Sequence, residues 1–507
     1  MIAFAGFSQA QAPGRSGGSL PVLGDTSELP ASAERRLGDR IAGSIYRDPD
    51  YLDDPVLGDY LQSIWQPLMT AARARGDLGV DLEERFAWEV MLIRNRTINA
   101  FALPGGYLGV HLGLIAVVES RDELASVLAH ELSHVTQRHI SRLMSKQSQQ
   151  MPWMLAAMIL GMLAASKNPD AANAAIAGGQ AIAVQNQLNF SRDMEREADR
   201  VGFGVMADAG FEKQGFATMF DKLQQASRLN DNGSYPYLRS HPLTTERIGE
   251  AKGRLQLEGP APSPVSGEAG RARVVHAMMA GRARVLGDAS ADALRLLLAE
   301  AQRVPASAAE GLKPRDVGAL YAGALAATRL REHSQARSLA DKLKTAAAAS
   351  PSMAPALELL SLEIDIAAGR AAQAPKLANG KSRAAVLLQS QADLAAGRPQ
   401  DVPDRLQSWV STHPKDAMAW QLLATAQGQQ GQTLRAIRAD AESRVAQLDY
   451  GAARDRFKAA QDLMRSGRDT GSGASAHIDG SIIDTRAREI DQLLREQALQ
   501  EKLDRKL

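Results

Sequence analysis

Cysteine is absent from the 507 residues, which excludes disulfides, thiolate metal sites and cysteine nucleophiles together. A metal bound by this chain must therefore rest on histidine and carboxylate ligands. Net charge is nearly absent as well. The 59 Lys and Arg stand against 58 Asp and Glu, so no field over the whole molecule draws it to nucleic acid or to an anionic membrane. Aromatic residues are scarce at 5% and Ala is prominent throughout, which favours helices over sheets. The apolar run "MPWMLAAMILGMLAA" at residues 151–165 is broken by Pro152 and Gly161 and falls short of the roughly 20 residues that a spanning helix needs. It reads as a buried helix or a lid over a cleft, with a peripheral membrane contact as the alternative.

The length predicts two to four domains. Residues 1–30 read as a signal-peptide remnant and disordered N-terminus: an apolar run from Ile2 to Phe7 precedes the small-x-small pattern Ala10-Gln11-Ala12, so export is expected. Residues 31–256 are expected to form the first domain and 257–272, rich in Pro, Ser and Gly, a linker. Residues 273–465 follow as helical repeats, and 466–507 as a flexible stretch and a final helix from Ile482 to Lys506. Gly397 and Gly431 stand 34 residues apart, the tetratricopeptide period. Pro414, Trp420, Leu423 and Ala436 take the offsets of that repeat, with Tyr450, Ala453, Phe457 and Ala460 in similar register. About four degenerate helical hairpins are expected, against an irregular bundle as the alternative.

Residues 81–118 predict two or three short strands around Pro104-Gly105-Gly106. Ser120 with Glu123 then forms a capping box, and an apolar stripe from Leu124 to Val135 predicts a helix. That helix carries "HELSH". His130 and His134 are one turn apart, about 40° round the axis, so both imidazoles can bind one ion. Glu131 lies on the neighbouring face, free to hold a water. His139 falls about 140° from His134 on a continued helix and is expected at the surface, with support of a metal ligand as the minor alternative. A third ligand from the same motif would require a Gly turn that is missing here. The missing carboxylate is expected from "SRDMEREAD", where Glu195 and Asp199 share a face and Glu197 points elsewhere.

Together "NAFALPGGYLGVHLGLI", "LAHELSHVTQRH", "SRDMEREAD" and "SHPLTTERI" resemble, in order and spacing, the gluzincin zinc peptidases. The resemblance implies an α+β zincin-type domain, mostly helical with a small sheet, here followed by an all-α tetratricopeptide-repeat solenoid. It implies one Zn2+ held by His130, His134 and Glu195, with Glu131 as general base and Asp199 supporting a ligand histidine. For His241 it offers two roles: a fourth ligand that holds the enzyme off, which is favoured here, or stabilisation of the oxyanion. Capping of the next helix is the third reading. Asn99, Ala100, Phe101 and Ala102 are expected on an edge strand that pairs with an extended substrate.

The function so implied is a periplasmic zinc endopeptidase. Its substrates would be unfolded or misassembled proteins, its partner the outer-membrane β-barrel assembly machinery through the repeats, and nucleic acid is not expected. The competing reading is a repeat-based binding module or chaperone with a latent metal site.

Overall fold

The computed structural model describes residues 29–146, 191–228, 237–257, 268–305, 313–347, 351–377, 380–466 and 474–504. The signal-like N-terminus, the apolar run at 151–165 and most of the Pro-rich linker lie outside the described residues.

Among the described residues, the first part comprises ten helices and a small sheet: α1 Ala31–Tyr46, β1 Tyr51–Leu52, α2 Pro55–Arg75, α3 Val80–Arg85, β2 Glu89–Ile93, β3 Ala100–Leu103, β4 Tyr107–His111, α4 Leu112–Val117, α5 Arg121–Thr136, α6 His139–Lys146, α7 Arg192–Asp208, α8 Gln214–Arg228, α9 Tyr237–Ser240 and α10 Thr245–Leu257. The chain is mostly helical with one mixed sheet of four strands in the order β1-β2-β4-β3. β2 runs parallel to β4, while β1 and β3 are antiparallel to their neighbours. β3 is therefore an edge strand.

The β3–β4 connection needs its glycines. Gly105 and Gly106 have φ of 73° and 85°, and a Cβ on Gly105 would come within 2.8 Å of the Arg35 backbone. Only a residue without Cβ adopts that conformation in that space. The stretch expected to hold strands also begins and ends in helix, at α3 and α4.

α5 is capped much as its sequence demands. The Ser120 hydroxyl accepts from the Glu123 amide, and the Glu123 carboxylate accepts in return from the amide of Glu119, one residue before the cap. Every residue of α5 from Glu123 to Thr136 is buried, so it is a core helix, in contact with β3, α2, α7 and α8. Close approach of α7 depends on Gly202, where a Cβ would stand 3.0 Å from the carbonyl oxygen of Ala129. That approach brings Glu195 and Asp199 onto the histidine face of α5.

From Glu268–Gly287 onward, the described elements are helices and short 3-10 turns, the last helix being Ala474–Asp504. Two of these helices begin inside stretches read from sequence as linker or flexible. The last starts at Ala474 rather than Ile482, and Asp479 there receives the Arg435 side chain at 2.8 Å. This tertiary ion pair anchors a Gly- and Ser-rich segment that composition alone marks as a break. Several helix ends share one device: Arg331, Gly369, Gly397, Gly431 and Leu448 all take positive φ. In each, the next residue's amide bonds back to a carbonyl in the last turn, as from Arg398 to Asp393 and from Asp449 to Arg444.

A single apolar cluster runs from Val56 through α5 and the helix Glu268–Gly287 to Ala392. The helices of the first part and the following helical array thus share a core. Buried charge reinforces the joint. Arg282 clamps Asp54 and Glu363, and Arg383 bridges Asp53 and Asp416.

Candidate metal centre

α5, α7 and the turn after α9 bring His130, His134, Glu195 and His241 together, all buried, with one ligand atom from each within 4.8 Å of the others. His130 Nε2 lies 3.0 Å from His134 Nε2, 3.3 Å from His241 Nδ1 and 3.5 Å from a Glu195 oxygen. His134 Nε2 is 3.4 Å from Glu195 Oε1, and His241 Nδ1 is 3.0 Å from it. Four donors held at 2.0–2.1 Å round a tetrahedral ion stand about 3.3 Å apart. The observed separations fit that figure closely, so these residues suit a metal as they stand.

The donor set also argues for a cation. Two imidazole Nε2 atoms facing each other at 3.0 Å place lone pairs together unless one carries a proton or both meet an ion. Both oxygens of Glu131 are buried without a well-formed hydrogen bond among the described residues. Their neighbours are His241 Nε2, 3.4 Å from Oε1, and the amide of Ala102 on β3. Burial pushes the Glu131 carboxyl above its usual range, against the attraction of His241 and His130. A buried, raised carboxylate beside such a cluster is a candidate for proton transfer. Glu195 behaves oppositely. Burial opposes its ionisation, but the attraction of His241 and hydrogen bonds from His130, His134 and His241 hold it well below the ordinary value.

The far side of each ring is fixed as well. His130 Nδ1 sits 2.9 Å from Asp199 Oδ1, the carboxylate partner that metal-binding imidazoles commonly use. Arg247 on α10 grips Asp199 with two bonds of 2.6 and 2.8 Å, reaches Glu195 Oε2 at 2.7 Å and donates to the Pro242 carbonyl at 2.9 Å. It thus joins the His241 turn to α7. Sequence reading missed this residue, although it belongs to the same "SHPLTTERI" stretch. Two buried carboxylates on one helix face were the available signal that a cation must stand nearby.

His139 requires a correction. It is fully buried, not at the surface, with Nδ1 2.8 Å from His134 Nδ1 and Nε2 3.1 Å from Glu197. The helical-wheel argument fails because α5 stops at Thr136 and Arg138 turns with φ of 53°, which swings His139 back under His134. Glu197, expected to face away, meets His139 and Arg142.

Ala100, Phe101 and Ala102 lie on edge strand β3, with Asn99 just before it. The ring of Tyr237 stacks on His241 at 4.6 Å. Beside them remains a cavity of about 20 Å³ lined by Val127, Phe216, Met219 and Phe220, room for about one water.

The sequence is similar to those of known proteins. Residues 59–255 match Peptidase family M48. The Escherichia coli beta-barrel assembly-enhancing protease is 29% identical over 81% of this chain and 80% of its own length. A Vibrio cholerae protein described as a putative beta-barrel assembly-enhancing protease is 35% identical over 48% of each chain. This chain thus spans about half the length of that relative. The Arabidopsis thaliana mitochondrial metalloendopeptidase OMA1 is 32% identical over 32% of this chain and 31% of its own. With the His130-Glu131-x-x-His134 helix and its buried carboxylate at the heart of the matched segment, residues 59–255 are a peptidase family M48 domain.

Proposed function

We propose that this metallopeptidase is a zinc endopeptidase that hydrolyses misfolded or misassembled proteins and serves outer-membrane β-barrel assembly in the periplasm. The observation that carries the proposal is the buried group of His130, His134, Glu195 and His241, at tetrahedral separations, with Glu131 beside it. A three-histidine, one-carboxylate donor set without thiolates favours zinc among the divalent ions. When bound, zinc supplies Lewis acidity that polarises a peptide carbonyl and brings the pKa of water toward neutrality.

The chain's own groups do the rest. Glu131 takes a proton from the attacking water and delivers it to the leaving amine. Asp199 keeps the proton of His130 on Nδ1, leaving Nε2 to act as a ligand. Edge strand β3, from Ala100 with Asn99 before it, offers unpaired backbone groups to an extended substrate. Pairing of this kind selects unpaired strands more than sequence, which suits β-barrel proteins caught before closure. The Escherichia coli relative is named for enhancing beta-barrel assembly.

His241 serves as a fourth ligand through Nδ1 while its Nε2 faces Glu131 at 3.4 Å. It therefore occupies both the open metal position and the base, a resting state for a protease that works among clients it must not digest. The helices after Glu268 form degenerate tetratricopeptide-type hairpins that recruit the assembly machinery, a reading supported by the repeated left-handed helix ends. Among the described residues no helix is long and apolar enough to cross a membrane.

Metal analysis with casein digestion tests the proposal. One zinc per chain and faster digestion by His241→Ala are expected; a parent that binds no metal would refute it, and slower digestion by His241→Ala would restore the oxyanion role. The chaperone reading gains if Glu131→Gln preserves cellular function while changes on the repeat surface abolish it.

A further inference from the structure

His130 and His134 are treated differently by their surroundings. His130 turns its outer nitrogen to a carboxylate, Asp199. His134 turns its outer nitrogen to another imidazole: His139 Nδ1 stands 2.8 Å from His134 Nδ1. On the far side His139 Nε2 meets Glu197 Oε2 at 3.1 Å, and Arg142 Nη1 meets the same oxygen at 2.9 Å. His134 and His139 are both buried, whereas Glu197 reaches the protein edge with its side chain 27% exposed.

We infer that His139 and Glu197 are positioning residues for the metal ligand His134, forming a carboxylate–imidazole–imidazole relay that sets its tautomer and ring orientation. The inference rests on the metal-binding reading of the cluster. Its logic is one of proton counting. Nε2 of His134 faces the other ligands, so it must offer a lone pair and the ring proton must sit on Nδ1. That N–H donates to His139 Nδ1, which has to be an acceptor. The proton of His139 is then on Nε2 and is donated to Glu197, whose charge Arg142 balances. Each donor has one acceptor along the row, and the direction of every bond follows from the metal end.

The relay also explains the break in the helix. Had α5 continued through residue 139, His139 would have projected elsewhere; the left-handed Arg138 returns it to the ligand. A non-glycine residue at φ of 53° is costly, and here it places an acceptor beneath a ligand.

The test is zinc affinity, measured by competition with a chromogenic chelator on the full chain. Loss of such a partner weakens metal binding by roughly 10–100-fold, and that is expected for His139→Leu. His139→Asn, whose side-chain oxygen can accept from His134, should lie within a few-fold of the parent. Glu197→Ala, at the protein edge and so expected to fold, should weaken zinc by a smaller but measurable factor. Nitrogen-15 spectra of the zinc-loaded protein should show the Nδ1–H form of His134 and the Nε2–H form of His139. Parental affinity in folded His139→Leu, or in Glu197→Ala, overturns the relay while leaving the metal site intact. A parent that binds no zinc removes the metal reading itself, a distinct result.

Discussion

Two buried charged clusters in this molecule look alike by composition and differ in what satisfies them. In one, Arg282 spends its guanidinium on two carboxylates, with bonds of 2.7 and 2.8 Å to both Asp54 and Glu363. Donors and acceptors match, so the cluster is complete within the protein. In the other, three imidazoles turn nitrogens toward one another and toward Glu195, and Glu131 accepts no well-formed bond among the described residues. The first cluster joins helices. The second is complementary to something the chain does not itself supply, and that is the physical difference between a structural network and a binding site.

Four experiments break or sharpen this contrast. The largest effect is expected from Glu131→Gln, which keeps the shape and removes the proposed base: casein hydrolysis should fall by about 10²–10⁴-fold with zinc content and Tm near parental values. Arg282→Met should do the reverse. Leaving Asp54 and Glu363 buried without their cation costs about 3–5 kcal/mol, read as a lower urea midpoint, while zinc affinity of the folded protein is retained. A folded Arg282→Met with parental stability would show that the clamp is not structural.

Asp199→Asn is smaller again. It removes the charged acceptor of His130 and leaves Arg247 partly unbalanced, so zinc affinity should drop by about 10–100-fold with a modest loss of stability. The smallest effect lies at Asp416. Burial opposes its ionisation, yet the bonds and charge of Arg383 hold it below its ordinary value of 3.8. The folded state therefore binds fewer protons than the unfolded one, so the pair's stabilisation is present above that value and is lost as pH falls through the lowered one. Urea midpoints between pH 6 and pH 3 should decline less steeply in Asp416→Asn, which can still cap its helix. An identical decline in both proteins would refute the assignment.

Much of the site is legible in the residues. A helix with a capping box and His130 and His134 one turn apart can be read from periodicity, and so can a second helix with Glu195 and Asp199 on one face. Gly105 and Gly106 announce their turn because, at positive φ, a Cβ on either would also press against Arg35 or Phe86. The ends of the helices after Glu268 are plainest in the sequence where glycine forms them. Gly397 and Gly431 mark helix ends, but Arg331 and Leu448 take the same left-handed conformation without a compositional trace.

What the sequence by itself determined is the local chemistry: the absence of cysteine limits the ligands to histidine and carboxylate, and helical spacing pairs them. Tertiary structure alone decided how the shells close. Arg247 reaches Asp199 and Glu195 from another helix, His139 turns inward because α5 ends where Arg138 bends, and His241 arrives from more than a hundred residues downstream. Periodicity describes one element at a time, whereas buried charge is balanced across elements, and no local pattern records which distant side chain will do it.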